Sequence, residues 1–406
     1  MNSVTHVSLK ILIPLLASIV AITPLAIDMY LPAMPLLVSE FDVTESVIQY
    51  SLSLYLVFFA LGALTFGPLA DRYGRRPFVI GGLLGFSVSS LALASIQSAE
   101  LFLLFRCTQA YTGVAASLVV PGIIRQRFGQ NTAKGLSYVS MVMMLAPLLA
   151  PAIGSLLMEL SDWRLIFYAL AAYGLLTVLA ATVLLKEAEI AAPTTPFHWR
   201  TLYLDKYKKV LGNSAARMNI ASSMFAAFAF FCYLTAIPFV YIDHFGASET
   251  LFSVLFGVNV IGLMIGNFIN TRTVPRIGSQ QMLLYTLSLA GVSVTALILV
   301  LSLGLGIYWT AACILPLMAS LSLTAVNADA LILIEFEEDS GTATAVLSTL
   351  KFAAGGIVGP LLAIMPGGTS LPFALLMFFG VVAIALCQWR NRTQQSHQTH
   401  SESALS

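Results

Sequence analysis

Asp28 is the residue in this chain best placed to do chemistry. It is the one charged side chain in ITPLAIDMYLPAMP (Ile22–Pro35), inside an apolar run that begins near Leu9. A charge near the middle of a membrane helix costs about 2.5–3.5 kcal/mol on insertion scales, and acids kept there face a cavity and carry protons or ligands. Pro24, Pro32 and Pro35 each remove a backbone donor, and lipid tolerates the freed carbonyls only where protein or water satisfies them. The chemistry on offer is proton uptake and release beside a solvated cavity. Arg106, in FRCTQAYTGVAAS (Phe105–Ser117), is a second charge within an apolar run. It lies roughly 9 Å, and Asp28 roughly 10 Å, from the same predicted membrane boundary at about 1.5 Å per residue. An Arg beside Asp28 favours the ionised acid, and an aqueous gap or a bound ligand between them favours the protonated one. That is a proton switch in outline; the alternative is a permanent salt bridge holding two helices together.

Two more charges fall inside apolar runs, Asp329 roughly 9 Å and Lys351 roughly 15 Å from their near boundaries. Three readings of Lys351 stay open: a buried pair with Asp329, a counter-charge for an anionic or zwitterionic substrate, or a snorkelling side chain.

The elements that must position these groups follow from composition. Hydrophobic residues make up 58% of the chain and charged residues 10%, against about 25% charged in soluble domains, and mean hydropathy is +0.88. The chain reads as an all-α membrane protein. Runs long enough for about 30 Å of hydrocarbon are predicted at 9–35, 46–66, 78–98, 100–122, 135–158, 164–185, 214–242, 250–271, 281–303, 307–331, 341–365 and 370–389, which makes twelve transmembrane helices. Of the twenty Lys and Arg, seventeen fall on the side shared by the two termini, Arg164 alone falls opposite, and Arg106 and Lys351 lie within helices. Basic residues in short loops stay cytoplasmic, so both termini are expected there. Lys10 before an apolar run imitates a signal peptide, but Asp28, the prolines and the lack of a small-x-small cleavage site point to a retained helix.

Residues 1–185 read as an N-terminal six-helix bundle, 186–213 as a cytoplasmic linker with a short surface helix, 214–389 as a C-terminal six-helix bundle, and 390–406 as a disordered cytoplasmic tail. The halves echo each other. GPLADRYGRR (Gly67–Arg76) follows the second helix, and TRTVPRIGSQ (Thr271–Gln280) follows the eighth, with Arg72 and Gly74 matched by Arg276 and Gly278, 204 residues later. Repeat-built transporters place their site near the membrane midplane between such halves.

GPLADRYGRRP (Gly67–Pro77) resembles the signature loop between the second and third helices of the major facilitator superfamily. Gly67 permits close helix approach, Gly74 a tight turn, and Asp71 can accept from a helix N-terminus or pair with an Arg. With Arg72 and Arg75 these residues form a candidate conformational latch; the alternative is that the arginines only set topology. The segment around Arg106 and Gln109 resembles the family's proton-coupling motif. MLAPLLAPAIGSLL (Met144–Leu157), with Pro147, Pro151 and Gly154, is similar to the motif of its antiporters, although Ala146 and Ala150 stand where glycines commonly precede the prolines; packing alone is the alternative. AIDMYLPAMP (Ala26–Pro35) and NADALILIEFEEDSGTATAV (Asn327–Val346) resemble the bicyclomycin/chloramphenicol resistance group of drug:proton antiporters. The resemblance covers the transmembrane region and implies two pseudo-symmetric halves in the major facilitator fold. It further implies a bacterial inner-membrane multidrug exporter, with antibiotic resistance as its consequence, that exchanges protons for a small organic molecule, amphenicol- or bicyclomycin-like drugs among them.

Candidate cavity-wall residues are Tyr30, Tyr55, Gln109, Tyr111, Met144, Phe225, Phe228, Tyr233, Asn259 and Asn327, since aromatic and Met side chains make adaptable contacts. Lys351 joins them if the substrate is an anionic or zwitterionic metabolite or siderophore. No GxxxxGK[ST] loop, His-rich cluster or Ser-His-Asp arrangement occurs, so neither an ATP-driven pump nor an enzyme is expected. Cys107, Cys232, Cys313 and Cys387 have no metal-ligand spacing and read as packing residues. The expected cofactor set is empty, with protons as the coupling ion and no metal. The expected partners are a small-molecule substrate and the lipid bilayer, with no nucleic acid, and the expected unit is a monomer. Glu335, Glu337, Glu338 and Asp339 read as a solvated loop, and His244 as a solvated outer-loop residue.

Overall fold

A computed structural model describes residues 9–128, 132–185, 205–336, 340–365 and 370–403. In chain order its α-helices are α1 (Leu9–Asp28), α2 (Met34–Glu40), α3 (Glu45–Tyr73), α4 (Arg76–Ser95), α5 (Ala99–Ser117), α6 (Val120–Phe128), α7 (Thr132–Leu160), α8 (Arg164–Leu184), α9 (Asp205–Gly212), α10 (Ser214–Pro238), α11 (Glu249–Ile277), α12 (Ser279–Ser302), α13 (Ile307–Glu335), α14 (Ser340–Gly356), α15 (Val358–Ala363) and α16 (Leu371–Ser403). Twelve segments among the described residues are long and apolar enough to cross a bilayer. Helices answer the lipid environment because each satisfies its own backbone polar groups.

Two compact units divide the chain. One holds residues 1–197 with 248–257, and the other residues 198–247 with 258–406. In the first unit α1 lies against α5, α7 and α8, while α4 packs on α5 and α8. In the second, α10 lies against α13, α14 and α16, and α12 packs on α13 and α16.

The internal echo extends well beyond two matched residues. Helices α3 and α11 each run for 29 residues, and both of their ends are offset by the same 204 positions that separate Gly74 from Gly278. Gly74 has φ 98° and ψ 151° and donates to Ala70 O at 3.1 Å. Gly278 has φ 81° and ψ 157° and donates to Val274 O at 2.8 Å. Only glycine enters this backbone region without strain, so one turn chemistry closes the same helix in both repeats.

Three expectations change. The first span is not one helix: α1 stops at Asp28, a turn follows at Met29 and Tyr30, and a 3-10 turn (Leu31–Ala33) precedes α2. Pro32 has no N–H to continue the ladder, which is the physical reason for the break. The fourth span likewise pauses between Ser117 and Val120. The polar tail, expected to be disordered, continues α16 as helix to Ser403, since no Pro or Gly lies between Arg390 and Ser403 to stop it. The linker's surface helix is α9; residues 186–204 lie outside the described residues, as do Glu337, Glu338 and Asp339, while Glu335 is exposed. His244 is exposed in the π-helical turn Phe239–His244, its ring 4.8 Å from that of Phe245. Among the described residues the four cysteines are unpaired.

Candidate functional site

The break at the end of α1 builds the site. A helix leaves its last four carbonyls without intrahelical donors, and one of these, Ala26 O, accepts a 3.0 Å hydrogen bond from Arg106 Nη1. The same nitrogen donates to Gln109 Oε1 at 2.7 Å, and Gln109 Nε2 donates to Ser90 Oγ at 2.8 Å. Ser90 Oγ in turn donates to Phe86 O within α4, so the Gln109–Ser90 bond is the one that ties α5 to α4. Arg106 is fully buried. Its Cζ sits 4.5 Å from the Tyr30 ring centroid and 4.4 Å from that of Tyr55. Cation–π contacts of this kind contribute about 2 kcal/mol or more when desolvated. The partial negative charge at the C-terminus of α1 adds to the attraction.

Arg106 therefore answers a helix end and two rings, and no ion pair joins it to Asp28 among the described residues. The permanent salt bridge considered from depth alone is not made. Asp28 is 4% exposed, and its carboxylate makes no hydrogen bond among the described residues. The Tyr30 hydroxyl donates to Ser51 Oγ, which in turn donates to Ile48 O at 2.6 Å. Tyr30, Tyr55 and Gln109, expected as substrate contacts, are thus occupied in holding the Arg.

The antiporter-like helix meets this break directly. A Cβ on Gly154 of α7 would stand 2.0 Å from Met29 O, the residue after Asp28. Pro147 and Pro151 both lie inside α7. Met144 is half-buried on the same helix.

A family model described as Major Facilitator Superfamily matches residues 16–360. The chain belongs to the major facilitator superfamily. It is 30% identical over 372 residues to a "Bicyclomycin resistance protein homolog" of Haemophilus influenzae, covering 90% of this chain and 92% of that one. To a "Chloramphenicol resistance protein" of Pseudomonas aeruginosa it is 29% identical over 414 residues, covering 98% and 95%. The crystal structure of the nucleoside transporter NupG superposes with a TM-score of 0.72 at 12% identity, over 93% of this chain and 99% of that one, which shows the shared fold. Membership makes the chain a multi-pass membrane transporter of small molecules.

The superfamily's signature loop engages its neighbours in particular ways. Arg75 Nη1 donates to Gly122 O at 2.8 Å and lies 3.5 Å from Gln126 Oε1, and Arg76 Nη2 donates to Thr182 O at 3.0 Å. Arg72 lies 5.7 Å from the Tyr73 ring centroid. The side chain of Asp71 lies outside the described ones. Gly67, expected for close approach, leaves an ordinary 4.0 Å to Leu118 Cδ1. Close approach occurs instead five residues back at Gly62, where a Cβ would stand 2.4 Å from Val114 Cγ1. Gly122 is a residue that sequence spacing does not reveal, because Arg75 reaches it across 47 positions. A Cβ there would stand 2.5 Å from Arg75 Nε, so Gly122→Ala is expected to expel the guanidinium and slow transport several-fold without unfolding the protein. Transport by Gly122→Ala, Arg75→Ala and the double variant checks this: the two singles should lose alike and the double no more.

The remaining candidates divide between the units. Tyr111 packs on Phe66 with centroids 4.8 Å apart. In the second unit Asn259 Nδ2 donates to the Tyr233 hydroxyl at 3.0 Å, and Asn327 Nδ2 donates to Asn270 Oδ1 and Leu323 O, both at 2.8 Å. These amides bridge helices instead of standing open. Phe225 and Phe228 pack against Phe379 at 6.1 and 6.3 Å. Lys351 Nζ pairs with Asp329 Oδ2, and Ser223 Oγ donates to Asp329 Oδ1 at 2.6 Å. Lys351 is thus paired with Asp329 in this structure, as the first of its three readings has it. Ser223 was missed because nothing in SSMF distinguishes it from Ser222.

Proposed function

We propose that this transporter is a proton-driven drug exporter, an antiporter that works by alternating access, sits in a bacterial inner membrane with both termini cytoplasmic, and uses Asp28 as its proton carrier. The observation that supports the reading most is the unpaired Asp28 carboxylate at a helix break, with Arg106 anchored on the backbone two residues away. An acid that no cation neutralises exchanges its charge with a proton, and any substrate that needs the same space competes with that proton. The names of the relatives suggest chloramphenicol and bicyclomycin as first substrates. No cofactor or metal is required by this mechanism, and the transporter performs no bond chemistry on its cargo.

The test is transport of radiolabelled chloramphenicol in proteoliposomes under an imposed pH gradient. Accumulation that collapses on adding a protonophore is the expected result. Accumulation indifferent to the proton gradient, or driven by sodium instead, overturns the reading.

A further inference from the structure

The second unit carries a charged cluster that proton transfer at Asp28 does not use. We infer that Lys351, Asp329 and Ser223 form a subsite for a zwitterionic head group, an ammonium and a carboxylate attached to one carbon, so that amino acids and drugs ending in an amino-acid group are substrates of this transporter. The inference rests on the chain being a small-molecule exporter and adds a substrate class to it.

Three helices converge there, each contributing one residue: Ser223 from α10, Asp329 from α13 and Lys351 from α14. Each stands one turn from a member of a buried apolar cluster. Ile220, Ile332 and Leu347 belong to that cluster, with Phe336 and Val210 beside them. The charges thus sit on an apolar floor inside the spans Ala343–Ala363 and Ile307–Glu335. They are not sealed in: 22% of the Lys351 side chain and 28% of the Asp329 side chain are exposed. Lipid against a charged pair is costly, so the exposed side borders water and is reachable by a solute.

Satisfaction of donors and acceptors points to the ligand. An ammonium has three donors and a carboxylate about four acceptor positions. Lys351 uses one donor, on Asp329, and Asp329 uses one position for Lys351 and one for Ser223. Two donors and about two acceptor positions are therefore left on adjoining groups that are partly exposed. A lone anion or cation bound there adds an uncompensated charge within the membrane, which is unfavourable. A zwitterion adds none: its carboxylate takes the Lys351 donors, its ammonium takes the Asp329 positions, and Ser223 holds the carboxylate in place throughout. The contact of Lys351 with Asp329 sets the two charges side by side, which suits a ligand whose ammonium and carboxylate are carried by one carbon.

Binding to the purified, full-length transporter tests this with L-phenylalanine, its methyl ester, which lacks the anion, and N-acetyl-phenylalanine, which lacks the cation, with chloramphenicol as the neutral reference. Phenylalanine is expected to bind at least tenfold tighter than either blocked form. Three forms binding alike, or phenylalanine not binding, overturns the inference. If chloramphenicol binds and is pumped while phenylalanine fails, the exporter reading survives and the zwitterion subsite does not; if proton-driven chloramphenicol transport fails, the exporter reading falls by itself. The double variant Asp329→Asn with Lys351→Gln leaves no unpaired charge to unfold the helices. It is expected to lose phenylalanine affinity at least tenfold more than chloramphenicol affinity. Equal losses make the cluster a structural tie, and an unchanged phenylalanine affinity places the site elsewhere; either overturns the inference.

Discussion

Asp28→Asn is expected to abolish proton-driven accumulation while leaving a folded transporter. The replacement keeps the size of a side chain that is 4% exposed and removes only its capacity to bind and release a proton. One proton crossing 100 mV supplies about 2.3 kcal/mol, enough for roughly a fortyfold substrate gradient at about 1.4 kcal/mol per tenfold. In the variant that gradient should fall to about onefold, because nothing couples the proton to the cargo. Exchange of labelled for unlabelled chloramphenicol at equal pH, which moves no net proton, should persist and shows that the protein is intact. Proton release from the detergent-solubilised protein on adding chloramphenicol provides the direct readout, present in the parent and absent in the variant. Coupled accumulation by Asp28→Asn would rule out the carboxylate as carrier. Because Arg106 bonds to Ala26 O and makes no pair with Asp28, its own position should not change with this substitution.

Gly154→Ala is the second change with a large effect, and it acts on backbone. Its Cβ would stand 2.0 Å from Met29 O and 2.9 Å from Met29 C, and no side-chain rotation relieves a clash with main chain. Helices α1 and α7 must separate, at an overpacking cost of about 1–3 kcal/mol. The displaced segment is the turn that follows Asp28, so transport should fall at least tenfold together with the loss of thermal stability. Gly81→Ala is the control. Nothing lies within 4 Å of a Cβ there, and Ala in a helix interior is favoured over Gly by about 0.8–1.0 kcal/mol. Stability should rise slightly and transport should hold. If Gly154→Ala matches Gly81→Ala in both measurements, α1 and α7 are not packed as described.

The superfamily was legible in the sequence for reasons of solvent and repetition. A chain with 10% charged residues has no soluble alternative, and spans of about 20 apolar residues mark the helices because every backbone group must be satisfied within its own segment. The positive-φ glycines at 74 and 278 announced the repeat because a turn that only Gly adopts leaves its residue type on the page. Asp28, Arg106, Asp329 and Lys351 stood out for the same reason, since intramembrane charge is rare enough to be noticed singly.

What each charge touches was decided by tertiary structure alone. Depth along a helix predicted that Asp28 and Arg106 share a level, and depth says nothing about azimuth. The break after Asp28 frees Ala26 O, the rings of Tyr30 and Tyr55 close over the guanidinium, and Gln109 accepts from the same Nη1 that reaches Ala26 O, so the Arg is held without the acid. Lys351 and Asp329 were equally unassigned until α10, α13 and α14 brought Ser223 to the same carboxylate. Gly122 under Arg75 and Gly154 against Met29 belong to the same class. Contacts between residues 47 and 125 positions apart depend on how helices rotate as they pack, and packing is a property of all the side chains together.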